Sequence, residues 1–396
     1  MNMTKFDKEY IRLGETILNK GVLTSNRTGI DSYKIPKWEF EFDLREEFPI
    51  LETKNTLFRQ AVLEMLSIWQ VGTNDVKWLQ DRGIKIWNEW QIDDDGIYRT
   101  YEPEIPGKEY VFDPDKEVVV YDPMSLPIWD PLGQMTEMQP KLDDNGEVMK
   151  ARSKIPGKTI KEAKYFGKEL IGTYGTTYGF INDRYQMAKR TEHILKNSIN
   201  DRRVVNDLMQ FEYLRTAVLP PCVYCNEWDL TGNTISLMVH QRSCDVPLGL
   251  PFNVTQYATF LKMMAQVTGK EVGTLSWTIK DAHIYINQIE GFKEQVARWK
   301  KYQEMSRWSK ADLLGRQLEL TQLYNEAKIF LDKDDSNLLK MDSELKIIDM
   351  ILEPIKPELW LNPNVTSFFD FDHSKELKDA KLKYKHMGKL TFPIAQ

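Results

Sequence analysis

The sequence predicts an α+β fold, a mixed β-sheet with flanking helices, and three features carry that prediction. Apolar residues recur at helical spacing in Lys5–Lys20 and in residues 56–71 and 254–268. Strand-like segments rich in aromatic and β-branched residues occupy 33–44, 222–229, 234–242 and 272–279. The chain has 396 residues, 41% of them hydrophobic, enough to bury a large core in one domain or two.

Bulk properties exclude several classes of function. A formal net charge of -6 argues against a general binder of nucleic acid or membrane surfaces. An acidic chain that holds a phosphate must therefore gather arginines locally. No apolar run of about 18 residues marks a membrane span. The opening MNMTKFDKEYIRLGETILNKG is charged and helical rather than a signal peptide. Three cysteines fit free thiols in a reducing cytosol, so the expected location is the cytoplasm, or the host cytoplasm for a viral chain. Cys222 and Cys225 form a CxxC, but no second pair completes a zinc site, and no metal is expected.

Taken in order, the first helix is followed by TSNRTGIDS, a polar turn with Arg27 close to Gly29. Such an arginine is either a solvated surface residue or, through its planar set of donors, a phosphate contact. The helix over 56–71 carries Glu64 at its middle, and IKIWNEW then places Trp87 and Trp90 three residues apart. That pair reads as a core patch or as a flat apolar wall for a ring. Residues 93–168 are rich in Pro, Asp, Tyr and Gly and read as an inserted segment of short hairpins and loops.

Glycines return in GTYGTTYG at 172–179, without the lysine that a nucleoside-triphosphate loop needs. A helix is expected over 184–196. Arg202 and Arg203 then precede a strand. Adjacent strand residues face opposite ways, so both reach one anion only from a turn or an edge. Beyond the strand at 272–279, DAHIY leads into a helix through residue 292. His283 and Tyr285 share a face if that segment is extended. Residues 298–356 read as an added helical hairpin, turning near LDKDDSN, and the tail has aromatic strand patterns.

The stretch at 219–253, LPPCVYCNEWDLTGNTISLMVHQRSCDVPLGLPFN, has the most chemistry. Pro220 and Pro221 fix the approach to Cys222. Two strands around a turn at 230–233 would return Arg242 to the neighbourhood of Cys222. A cation there would favour the reactive thiolate. Taken alone, the cysteine reads as a small buried apolar residue rather than a nucleophile.

LPPC, QRSCDVPLGLPFN and DAHIY in this order resemble the folate-dependent thymidylate synthase family. SNRTG, Thr53-Lys54 with Glu64 ten residues after the lysine, IWNEW, Tyr178-Gly179, DRR and the tail PELWLNPNVTSFFDFDHSKELKDAKLKYKHMGKL extend the match. PCVY and PELWLNP are most similar to the Bacillus-type branch. The resemblance implies one catalytic domain over 1–396, with 93–168 and 298–356 as family-atypical insertions. It implies transfer of a one-carbon unit from 5,10-methylenetetrahydrofolate to carbon 5 of dUMP through a covalent Cys222 adduct. Arg27, Arg242 and Ser243 would hold the phosphate, with Arg202 and Arg203 coming from the second subunit of a homodimer. Asn253 would read the pyrimidine edge, and asparagine there points to dUMP rather than dCMP. His283 and Tyr285 would hold the sugar. Glu64 and Tyr178 would move protons through water. Asp245 would hold the pterin, Trp87 and Trp90 would wall the folate with Leu248, Gly249 and Phe252, and Lys54 would face its glutamate tail.

The sequence departs from the family pattern at Val223, at Asn55, after Arg203, and at the polar last residue Gln396. Two outcomes therefore stand side by side. Hydride transfer gives dTMP; attack of water on the same methylene gives 5-hydroxymethyl-dUMP, as in phage hydroxymethylases. Trp87 and Leu219, which by the resemblance would shield the methylene from water, favour hydride transfer, whereas the insertions and Gln396 are more in keeping with a phage relative. A non-catalytic homologue that only binds nucleotide or a partner is the remote alternative, opposed by Cys222, Glu64, Arg242 and Asn253.

Overall fold

A computed structural model describes residues 3–103, 111–199 and 201–394. The expectation attached to Gln396 lies outside the described residues, as does part of the segment 93–168. Helix α1 (Lys5–Lys20) leads into strands β1 (Val22–Thr24) and β2 (Ser32–Asp43), then helices α2 (Phe58–Leu66) and α3 (Val76–Gln80). Strands β3 (Ile97–Tyr101), β4 (Val118–Asp122), β5 (Gln139–Pro140), β6 (Lys150–Ala151) and β7 (Ile160–Tyr165) follow. Helices α4 (Gly179–Tyr185) and α5 (Met187–Lys196) precede β8 (Val205–Asp207), α6 (Phe211–Leu214), β9 (Val223–Thr231), β10 (Thr234–Gln241) and β11 (Cys244–Asp245). The chain continues through α7 (Gly249–Thr268), β12 (Glu271–Tyr285), α8 (Ile289–Met305), α9 (Lys310–Ala327), α10 (Ser336–Leu352), β13 (Glu358–Leu361) and β14 (Ala380–Lys383).

The main sheet has the order β1-β2-β12-β10-β9-β8, with β11 also paired to β12. It is mixed: β10 and β11 run parallel to β12, while the other pairs are antiparallel. Against it lies α7, buried almost all round because its sequence is apolar on every face, with Phe260 stacked on Trp69 at 5.3 Å. Helix α1 packs Phe6 edge-on against Phe40 and Phe42 of β2. These side chains belong to one core that sits beneath the loops ending β10 and opening α7.

Several elements differ from the sequence expectation. The helix over 56–71 changes to a π turn at Ser67–Val71, which begins three residues after Glu64. The amide nitrogen of Asn182 donates to the Ile68 and Trp69 carbonyls, which accounts for the widening there. The helix over 184–196 is broken at Gln186, which has φ 50°, and starts earlier, at Gly179. DAHIY leads into a helix as expected, but it is the end of the long strand β12, with Asp281 at φ 57°, and the helix runs past residue 292 to Met305. Within 93–168 a five-stranded sheet, β3-β7-β4-β5 with β6 on β4, has its own small core of Ile97, Val120, Ala151, Ile160 and Ala163. Arg99, 7% exposed, ties this sheet together through Asp93, Asp95 and the Arg152 carbonyl. Helices α8, α9 and α10 share a second core around Met305, Leu313, Leu320 and Ile348. Among the described residues no helix is long and apolar enough to cross a membrane.

Candidate active site

The β9–β10 hairpin closes through Gly232, whose φ of 62° suits the turn. Pairing along the hairpin sets Gln241 against Val223, so Arg242 arrives beside Cys222 and its N–H donates to the Cys222 carbonyl at 2.8 Å. The Arg242 guanidinium donates to the Pro221 carbonyl through Nε at 2.8 Å and to the Pro220 carbonyl through Nη2 at 2.6 Å. It therefore holds the turn that presents the nucleophile. From the other side, the Cys222 N–H donates to the Tyr178 hydroxyl at 2.8 Å. Tyr178 is buried at φ 47° and ψ -103°, a strained conformation that its surroundings must enforce.

Burial pushes the Cys222 thiol above its ordinary value, while Arg242 and Arg27 pull it down. The expected bias toward thiolate is thus present as a pull from two arginines, but desolvation outweighs it. Arg27 itself is exposed.

A cavity of about 260 Å³ opens beside the half-buried cysteine. It brings together Cys222, Glu64, Tyr178, Asn253, Trp87, Trp90, Leu248, Gly249 and Phe252, all candidates from the sequence. Leu219 and Ile394 complete its apolar wall. Trp87 is stacked on Tyr174 at 4.3 Å and meets Trp90 and Tyr178 edge-on at 5.5 Å each.

A chain of hydrogen bonds runs along the cavity floor. Trp277 Nε1 donates to Gln241 Oε1 at 3.0 Å. Gln241 Nε2 donates to Asn253 Oδ1 at 3.2 Å, and Asn253 Nδ2 to Gln256 Oε1 at 3.2 Å. Gln256 Nε2 reaches Glu64 Oε2 at 2.6 Å, and Trp87 Nε1 reaches Glu64 Oε1 at 2.7 Å. An indole N–H can only donate, so Trp277 fixes which way each amide in the chain points. Burial raises the Glu64 pKa to about 7, against the lowering effect of the bonds from Trp87 and Gln256. A carboxylic acid near neutrality suits proton transfer in either direction.

Asp245 accepts from the Leu248 N–H at 3.1 Å and from Gln288 Nε2 at 2.9 Å; burial raises its pKa. His283, buried behind it, places Nδ1 3.1 Å from both the carbonyl and the carboxylate of Asp281, which also pairs with Lys34 at 2.8 Å. The ring of Tyr285 lies edge-on to His283 at 5.0 Å, the shared face expected of an extended segment. Ser243 is half-buried, with its carbonyl accepting from Gln241 at 3.1 Å.

Lys54, expected to face the folate's glutamate tail, is not among the residues that line the cavity. It is 5% exposed, donates to the Pro247 carbonyl at 2.6 Å and lies 4.6 Å from the Phe392 ring centroid. Burial lowers its pKa to about 7. Arg202 and Arg203 are exposed in a turn before the edge strand β8, with Arg203 paired to Asp201 at 2.8 Å, and neither lines the cavity.

Sequence reasoning missed Gln241, Gln256, Gln288 and Ile394. The first two left a signal. Gln241 interrupts the buried alternation Ile235, Leu237, Val239, and Gln256 stands one turn from Asn253 in a helix with few polar residues. Among the described residues no three His, Cys, Asp or Glu side chains gather as a metal site.

The family model for thymidylate synthase matches residues 8–313. The thymidylate synthase of Clostridium beijerinckii is 29% identical over 394 residues, spanning 99% of this chain and all of the relative. Thymidylate synthase 1 of Bacillus subtilis is 27% identical over 404 residues with the same spans. The solved structure of thermostable thymidylate synthase A from Bacillus subtilis matches with a TM-score of 0.59 at 25% identity, over 99% of this chain and all of that one. The chain belongs to the thymidylate synthase family.

Proposed function

We propose that this chain converts dUMP to dTMP, joining a one-carbon unit to carbon 5 while Cys222 is bonded to carbon 6. The observation that carries the reading is the convergence of Cys222, Glu64 and Asn253 on one apolar cavity in a chain of this family. Cys222 adds to carbon 6 and makes carbon 5 a nucleophile, which divides one difficult bond formation into easier steps. Asn253, its amide already oriented by Gln241, offers an acceptor to the uracil ring N–H and a donor to the adjacent carbonyl. Glu64, with Tyr178 nearby, exchanges protons with the pyrimidine through water.

Arg27, Arg242 and Ser243 hold the phosphate, while His283 and Tyr285 hold the sugar. The exposed Arg202 and Arg203 fit a contribution across a homodimer interface, since a turn at a sheet edge lets both point one way. The co-substrate 5,10-methylenetetrahydrofolate supplies, when bound, both the carbon and the hydride that reduces it. Asp245 and the wall of Trp87, Trp90, Leu248, Gly249 and Phe252 suit its pterin, one polar anchor on an apolar pocket.

Methylation is favoured over hydroxymethylation. Trp87, Leu219 and Ile394 make the cavity wall apolar, and bacterial relatives named thymidylate synthase align through both added segments. We assign 93–168 and 298–356 as additions to a single catalytic domain. The test supplies dUMP and methylenetetrahydrofolate and identifies both products. dTMP with dihydrofolate supports the proposal; hydroxymethyl-dUMP with tetrahydrofolate, or no reaction, overturns it.

A further inference from the structure

Gln288 is fully buried, and its carboxamide is engaged at both ends. Oε1 accepts from the Tyr285 N–H at 3.3 Å. Nε2 donates to Asp245 Oδ2 at 2.9 Å and to the Pro393 carbonyl at 3.0 Å. A backbone N–H only donates and a carbonyl only accepts, so this amide has one orientation. One of its two N–H groups therefore depends on the C-terminal segment.

A second link runs beside the first. The Lys54 ammonium joins the Pro247 carbonyl to the face of Phe392. The Phe392 ring also lies on Gly291 of α8, where an added Cβ would come within 2.9 Å of it. Residues 392 and 393 thus rest on groups that also hold Asp245 and Pro247, and the next residue, Ile394, lines the cavity.

We propose that Gln288 is a positioning residue that couples docking of the C-terminal segment to the orientation of Asp245. The inference rests on the reading in which Asp245 holds the folate. Lifting the segment removes the acceptor of one Gln288 N–H and leaves the amide held by Tyr285 and Asp245 alone, so a docked segment tightens the hold on the carboxylate. The docked segment keeps water from the methylene on carbon 5. That methylene takes either a hydride, giving methyl and dihydrofolate, or hydroxide from water, giving hydroxymethyl while tetrahydrofolate leaves with its hydride. In both cases the incoming pair forms the new C–H or C–O bond, the methylene π pair shifts to re-form the C5–C6 double bond, and the C6–S pair leaves on the Cys222 sulfur, which takes up the remaining proton in the water reaction.

Two variants approach the coupling from opposite ends. Gln288→Leu removes both donors at similar volume. Gly291→Ala leaves Gln288 and Asp245 alone but displaces Phe392, at a helical position where alanine is well tolerated. Both are expected to speed hydrogen exchange in the C-terminal segment, raise KM for the folate several-fold and increase the share of hydroxymethyl-dUMP. Gln288→Leu with wild-type exchange overturns the coupling. So does faster exchange in either variant with folate KM and product ratio unchanged, and Gly291→Ala alone decides if the leucine variant does not fold. If the wild type makes no dTMP, the assigned reaction fails, while the exchange comparison still decides whether Gln288 holds the segment.

Discussion

Trp87 Nε1 donates to Glu64 Oε1 across 2.7 Å, so one residue both walls the cavity and holds down the pKa of its acid. A bond to the charged carboxylate favours the charged form. Trp87→Phe keeps an aromatic wall but removes that donor, so the Glu64 pKa should move above about 7. The inflection in kcat/KM against pH is expected to shift upward with it. A pH profile superimposable on the wild type rules out Glu64 as the titrating group.

The same carboxyl has a consequence for stability. Its folded pKa, about 7, lies above the ordinary 4.5. Its contribution is therefore fully present below pH 4.5 and is lost as pH rises through 7. Glu64→Gln removes this dependence. Relative to wild type, the glutamine variant should gain up to about 3 kcal/mol between pH 4 and pH 8, the shift converted at about 1.4 kcal/mol per unit. Denaturant melts at the two pH values measure this; an identical difference at both contradicts the raised pKa. Turnover should fall roughly 10²–10⁴-fold.

Cys222→Ser tests the nucleophile. The hydroxyl is a far weaker nucleophile at neutral pH. Binding of dUMP should survive while product formation drops below detection. Turnover within tenfold of wild type excludes a covalent Cys222 adduct.

Asn253→Asp tests reading of the base. Gln241 still donates to one oxygen, but Gln256 Oε1 then faces the other. Gln256 cannot turn without presenting its carbonyl to Glu64, so the new side chain is held as the protonated acid. Its oxygen turned to the base accepts from cytosine's amino group, where the asparagine N–H faced uracil's carbonyl and would oppose an amino donor. The ratio of kcat/KM for dCMP over dUMP should rise at least tenfold. An unchanged ratio means that base choice is set elsewhere.

How much of this was legible in the sequence depends on distance along the chain. Cys222 and Arg242 meet because a hairpin turn stands midway between them, and the alternation of each strand can be read locally. His283 and Tyr285 share a face for the same reason. Gln288 could not be found this way, because its partners lie at 245 and 393 and only the folded chain joins them. Lys54 was singled out by resemblance alone, and its burial between Pro247 and Phe392 joins residues too far apart in the chain to be read from the sequence. The small sheet between residues 97 and 165 was hidden by its strands, two of which have only two residues and so no readable period.

That sheet also reaches the phosphate-binding candidate. Lys161 of β7 donates from Nζ to the Arg27 carbonyl at 3.1 Å. Next to it, Pro103 Cγ would lie 3.1 Å from a Cβ at Gly29, whose φ is 81°. The added segment therefore braces the turn that presents Arg27, rather than standing apart from the site. A phosphate contact is made equally in the ground state and the transition state, so loosening it changes binding more than the chemical step. Lys161→Met is expected to raise KM for dUMP about two- to fivefold, the loss of one exposed hydrogen bond, with kcat within error. Deoxyuridine, which lacks the phosphate, should be used equally by wild type and variant. If KM for dUMP is unchanged, or the variant is equally impaired toward deoxyuridine, the brace does not act through Arg27.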